Sequence, residues 1–127
     1  MISEQEAFPL PLDGRFVGDL QWKLLAPFEY RNPPTIINVP VGFVSDGGSI
    51  PKFAWSLIGS PWSGKYPKAC VPHDWGYHIQ ERPRAEVDKN FLEGMKILGV
   101  GWWKRGTMYN CVRIVAWICW KQKARTE

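Results

Sequence analysis

The chain has 127 residues, the size of one ordinary domain, and it carries no internal repeat or low-complexity segment. Aromatic residues make up 14% of it, with 8 Trp, and charged residues 22%, a composition that excludes a disordered tail. The net charge is +4, concentrated at Lys104, Arg105, Lys121, Lys123 and Arg125, with no dense basic run of the kind that marks a nucleic-acid patch.

A basic end of this kind suits nucleic acid, an anionic membrane or an acidic partner, but a solvated tail is the simpler reading. The three cysteines, Cys70, Cys111 and Cys119, are odd in number and widely spaced, which argues against a disulfide framework and for a reducing compartment. Cys111 and Cys119 lie two helical turns apart and fit one face of a core helix. Met1 to Ala7 holds two Glu and no apolar stretch, so no signal peptide is expected. The longest apolar-rich run, Val112 to Trp120, is shorter than the roughly 20 residues that span a bilayer, and the chain reads as soluble.

The first forty residues are punctuated by Pro and Gly, with strand-like pieces at Gln21 to Leu25, Thr35 to Val39 and Val41 to Val44. They predict a small antiparallel sheet. Ser49 fits a helix N-cap and Pro51 its first turn, and that helix would run through Trp55 to Gly59. Ser60 to Pro67 reads as a loop. A second helix carries His73, Asp74 and Tyr77, with Pro72 acceptable only in its first turn. Arg82-Pro83 ends it. Val87, Phe91, Met95 and Leu98 predict a third helix from about Ala85 to Leu98, stopped by Gly99. Gly101 to Gly106 reads as a turn. A last helix, about Thr107 to Lys121, is apolar nearly all round and should be buried; an amphipathic helix lying on a membrane is the weaker alternative. The expected fold is α+β, one domain over 1–127, with an N-terminal antiparallel β part and about four helices.

His73 and Tyr77 stand four apart and share a helical face, with Asp74 turned about a quarter of the way round. Histidine is the usual general base near neutral pH. On a helix Asp74 cannot easily reach the same ring, but it can point toward a cation beside it. Asp88 borders the apolar face of the third helix, where a carboxylate is costly unless paired. His73 and Tyr77 are its natural partners if the two helices run side by side, and a carboxylate that holds an imidazole orients a catalytic base. The helix dipole at an N-terminal position is an equally good reason for Asp88. Finally, Gly42 to Pro51 contains Ser45, Asp46, Gly47, Gly48 and Ser49. Such a turn offers oxygen ligands to a hard cation or amides to an anion, although by itself the segment is read more simply as a strand-to-helix connection capped by Ser49.

Taken together, Val39 to Pro51, Trp55, Ala69 to Tyr77, Arg84-Ala85-x-x-Asp88-x-x-Phe91, Met108-Tyr109 and Val112-Arg113 resemble the phage and prophage domain-of-unknown-function family 1353, over about residues 20 to 115. Pro72 stands where that pattern has an aliphatic residue, and Ser45 where it has Thr. The resemblance implies a phage or prophage origin, hence the host cytoplasm during infection, or the virion, as location. His73-Asp74-x-x-Tyr77 followed by Asp88-x-x-Phe91 is also similar to the core of secreted and parvoviral phospholipase A-two. That likeness implies His73 as the base that activates water, Asp74 as a calcium ligand, Asp88 as the orienting carboxylate and Tyr77 as its support. The calcium loop of that family is missing in its usual form, and the turn at Asp46 to Gly48 would have to serve.

The leading expectation is a small hydrolase of an ester or amide of the bacterial envelope. It would use a His73–Asp88 dyad, assisted by a divalent cation, calcium or zinc, on Asp74 and Asp46. The alternative is a non-enzymatic virion or tail component or host-interaction protein, bound to another phage protein, in which the same residues form a buried network. Nucleic acid ranks last as a partner. A hydrolase should gather His73, Asp74, Asp88 and Asp46 around a cavity that solvent reaches. A scaffold should seal them and show an apolar patch elsewhere.

Overall fold

The computed structural model describes residues 2–18, 21–45 and 66–126, the side chains of 115 and 122–126 excepted. The helix expected from Ser49 to Gly59 lies outside them. Ser3 opens a short helix α1 (Glu4–Ala7), its hydroxyl accepting the Glu6 amide at 3.2 Å. Strands β1 (Gly14–Gly18), β2 (Gln21–Leu24) and β5 (Val44–Ser45) form an antiparallel sheet in the order β1-β2-β5. Strands β3 (Phe28–Asn32) and β4 (Thr35–Val39) form a separate antiparallel hairpin across Pro33-Pro34. The hairpin alternates with period two: Phe28, Tyr30, Ile37 and Val39 are buried.

Among the described residues four helices follow: α2 (Pro67–Ile79), α3 (Arg84–Ile97), α4 (Trp102–Val115) and α5 (Trp117–Thr126). The α+β architecture with an N-terminal antiparallel part is as the sequence predicts. α3 matches its expected span, and Gly99 takes φ 81° just beyond it, a conformation that suits glycine. β4 matches too, and β2 ends one residue early.

Other expectations are corrected. β1, β3 and α1 are additional. The last strand falls at Val44–Ser45 rather than Val41 to Val44. Pro72 is not in a first turn: α2 begins at Pro67, and Pro72 is buried in the helix interior. There it denies the Lys68 carbonyl its helical amide, a loss normally worth about 3 kcal/mol that buried packing has to offset. Trp102 to Gly106 is helical rather than a turn, with Gly101 as the N-cap whose carbonyl accepts from the Arg105 amide at 3.0 Å. A glycine inside a helix costs only about 1 kcal/mol, and Gly106 is tolerated on those terms. The single last helix is two, divided at Ala116, whose ψ of -6° departs from α geometry. Nor is that region buried all round: Met108, Val112 and Ala116 face the core, while Ile114, Trp117 and Ile118 are exposed.

α2 and α3 pack against each other and carry the candidate site between them. Their approach depends on Gly76. A Cβ there would stand 2.7 Å from Val87 Cγ1. Gly76→Ala should therefore destabilise the fold, because overpacking of about 1–3 kcal/mol outweighs the roughly 1 kcal/mol that alanine gains in a helix. Thermal unfolding checks it: the midpoint should fall, and adding Val87→Ala should recover part of the loss. A rise in the midpoint for Gly76→Ala alone would contradict this view of the helix contact.

Candidate active site

Asp88 is the centre of the arrangement. It sits in the second turn of α3, fully buried, one residue beyond Val87 and three before Phe91. His73 Nε2 lies 2.7 Å from its Oδ1, and the Tyr77 hydroxyl donates to the same oxygen at 2.8 Å. Both partners come from one face of α2, as their spacing of four predicts. Its other oxygen, Oδ2, accepts from Arg113 Nη1 at 2.8 Å and Arg84 Nη1 at 3.4 Å. Burial by itself would push the Asp88 carboxyl up. The hydrogen bond and charge of His73, then the bonds from Arg113 and Tyr77, more than offset it and hold the carboxyl below its ordinary value of 3.8. Asp88 is thus anionic at neutral pH. An anionic acceptor keeps a proton on His73 Nε2. The Tyr77 hydroxyl is pushed up, first by burial and then by the Asp88 charge, and stays protonated as a donor.

The rest of the setting holds the imidazole in place. The His73 ring centroid lies 4.6 Å from those of both Tyr77 and Phe91. His73 also lines a void of about 10 Å³ with Tyr30, Pro72, Asn90 and Phe91. That is about the smallest space that holds one water. Asn90 Nδ2 is buried and has no hydrogen-bond partner among the described residues. A water in the void would satisfy it.

Asp74 turns away from this cluster. It is buried, and its Oδ2 accepts a short hydrogen bond from the Ser45 hydroxyl, which ties α2 to β5. Asp46, Gly47, Gly48 and Ser49 lie outside the described residues, so the expected meeting of Asp74 and Asp46 is not placed. Among the described residues no group of three or more His, Cys, Asp or Glu stands close enough to hold a metal ion. No step below runs through a cation.

The structure thus joins His73, Tyr77 and Asp88, and separately Asp74 and Ser45. The sequence reading missed Arg84 and Arg113 as partners. Arg84 had a signal, since it precedes Asp88 by four residues on one helix. It also donates to the carbonyls of Val112 at 2.9 Å and Arg113 at 3.0 Å, in the last turn of α4, where the helix dipole favours a cation; the Val112 carbonyl accepts from the Ala116 amide as well, at 3.2 Å. Arg113 reaches Asp88 from 25 residues away and had none. His73 and Asp74 are each only 2% exposed, and Asp88 not at all.

One pH dependence follows. Folding lowers the Asp88 pKa, so the folded chain binds that proton less well than the unfolded chain. The stabilisation is complete above the ordinary carboxyl value and is lost as pH falls through it toward the folded value. Urea midpoints of wild type and Asp88→Asn should differ most near neutral pH and converge below about pH 4. A gap that stays constant into acid would mean that Asp88 is not held as an anion.

The model of the family described as "Protein of unknown function (DUF1353)" matches residues 22–112. The chain is 44% identical over 74 residues to the uncharacterized protein y4jT of Sinorhizobium fredii (strain NBRC 101917 / NGR234), a match covering 58% of this chain and 22% of that protein. It is 36% identical over 56 residues to the uncharacterized protein y4iH of the same strain, covering 44% of this chain and 23% of that one. The matches span under a quarter of the length of these curated relatives. No solved structure matches the chain. Since the family model covers residues 22–112, well over half of its length, the chain belongs to the DUF1353 family of proteins of unknown function.

Proposed function

We propose that this chain is a phage-encoded hydrolase of an ester or amide of the bacterial envelope, with His73 as general base and Asp88 as the carboxylate that orients it. The observation that carries this reading is the engagement of one anionic oxygen, Asp88 Oδ1, by both His73 Nε2 and the Tyr77 hydroxyl. It fixes the ring, and in this proposal the other ring nitrogen, Nδ1, acts as the base. Nδ1 takes a proton from water as the water oxygen attacks the carbonyl carbon. The imidazolium so formed is stabilised by Asp88, and the proton then passes to the leaving oxygen or nitrogen as the carbonyl re-forms. A positioned base of this kind contributes about 10²–10⁴ in rate. The cost of the network points the same way. A buried charged cluster is a poor source of stability compared with apolar packing of equal volume, so its presence calls for another reason. A divalent cation on Asp74 and Asp46 belongs to the same proposal.

Release of acids or amines from isolated bacterial envelopes by the purified chain tests it, with calcium, with zinc and with chelator. No release under any of the three conditions removes the proposal.

A second reading is favoured by the burial of His73 and Asp88, whose side chains are both fully covered. There the chain is a non-enzymatic virion, tail or host-interaction component. Asp88 then serves to clamp α3 to α2 through His73 and Tyr77 and to α4 through Arg113. Stability loss on mutating His73, without any cleavage by wild type, is the result that selects it.

A further inference from the structure

One face of the C-terminal helices is out of place in water. Trp103, Ile114, Trp117 and Ile118 are exposed at 51, 69, 44 and 48%. Within α4, Trp103, Asn110 and Ile114 recur at spacings that keep to one helical face, and within α5 so do Trp117, Ile118 and Lys121, whereas Met108, Val112 and Ala116 lie in the core. Trp102, at the start of α4, is 77% exposed. Clusters of large apolar side chains left on a surface mark a docking site.

Charge says what docks there. From residue 102 to residue 126 there are six Lys and Arg and no Asp or Glu, against a net charge of +4 for the whole chain, and of the six Arg113 is already paired with Asp88. Lys104 and Lys121 are exposed on these helices, and the Lys121 ammonium lies 4.9 Å from the centre of the Trp117 ring. The ammonium thus lies over the indole ring, a cation–π pair that sets a positive charge beside an exposed aromatic side chain. Tryptophan prefers the headgroup depth of a membrane. A second copy of the chain would bring two such positive faces together, which repel. Nucleic acid satisfies the charge but leaves Ile114 and Ile118 without an apolar partner.

We infer that α4 and α5 form a peripheral docking face for an anionic membrane surface, with Trp103, Ile114, Trp117 and Ile118 entering the headgroup region and the lysines meeting lipid phosphates. Among the described residues no helix is long and apolar enough to cross a membrane, so the chain would lie on the surface. The inference does not rest on the chemistry proposed for His73.

Co-sedimentation with vesicles tests it, using phosphatidylcholine alone and phosphatidylcholine with about one third phosphatidylglycerol at about 0.1 M salt. Wild type should sediment with the anionic vesicles and much less with the neutral ones. The double variant Ile114→Ser with Trp117→Ser, checked for an unchanged thermal midpoint, should bind roughly tenfold more weakly. His73→Gln should bind like wild type. Three outcomes overturn the inference: no binding to anionic vesicles, binding indifferent to the double variant, or a dimer in solution that the double variant dissociates.

Discussion

Asp88→Ala should cost about 3–5 kcal/mol of folding stability, more than any other single substitution at the site. The carboxylate accepts from His73, Tyr77, Arg113 and Arg84 at once, and all four donors would lose it. His73 and Tyr77 are buried, so no water replaces the acceptor without opening the contact between α2 and α3. Arg113 would keep its charge beside an emptied pocket, and the hold on α4 would weaken. Asp88→Asn should fall between wild type and Ala. It keeps the volume and one carbonyl oxygen but turns an amide donor toward other donors. Urea unfolding measures both, and a loss under about 1 kcal/mol for Asp88→Ala would show that the four hydrogen bonds are replaceable.

His73→Gln should lower cleavage by a hundredfold or more, on the scale of about 10²–10⁴ for a general base, and change stability by only about 1–2 kcal/mol. The glutamine amide can occupy the place of Nε2 and donate to Asp88, but it has no basic nitrogen. His73→Ala is the contrasting case. It also removes the ring packed on Tyr77 and Phe91, and a cavity of that kind costs about 2–5 kcal/mol. A loss of cleavage common to both variants, set against unequal losses of stability, separates chemistry from packing.

The centre of the site was legible because it is local. Spacing of four on α2 puts His73 and Tyr77 on one face, and the helical period of α3 turns Asp88 toward the core. Burial then demands a partner, and few are at hand. What escaped was set by tertiary context. Arg113 reaches Asp88 across 25 residues, and Asp74 finds Ser45 across 29, distances at which spacing says nothing. The same holds for the fold. β3 carries charged Glu29 and Arg31 between its buried Phe28 and Tyr30, so only two of its five residues signal a core. Pro72 and Gly106 read as breakers, yet packing overrides propensities of this size. The apolar run after Thr107 predicts a buried helix, yet Ile114, Trp117 and Ile118 are exposed. Composition counts apolar residues but does not say which of them find a neighbour.

Wild type and His73→Gln, compared side by side on isolated bacterial envelopes after their thermal midpoints have been matched, test the His73–Asp88 dyad most directly. Release of acids or amines by wild type and its loss in the folded variant is the expected result. Equal release by both would contradict a base at His73, and no release by either would leave Asp88 as a clamp that holds three helices together.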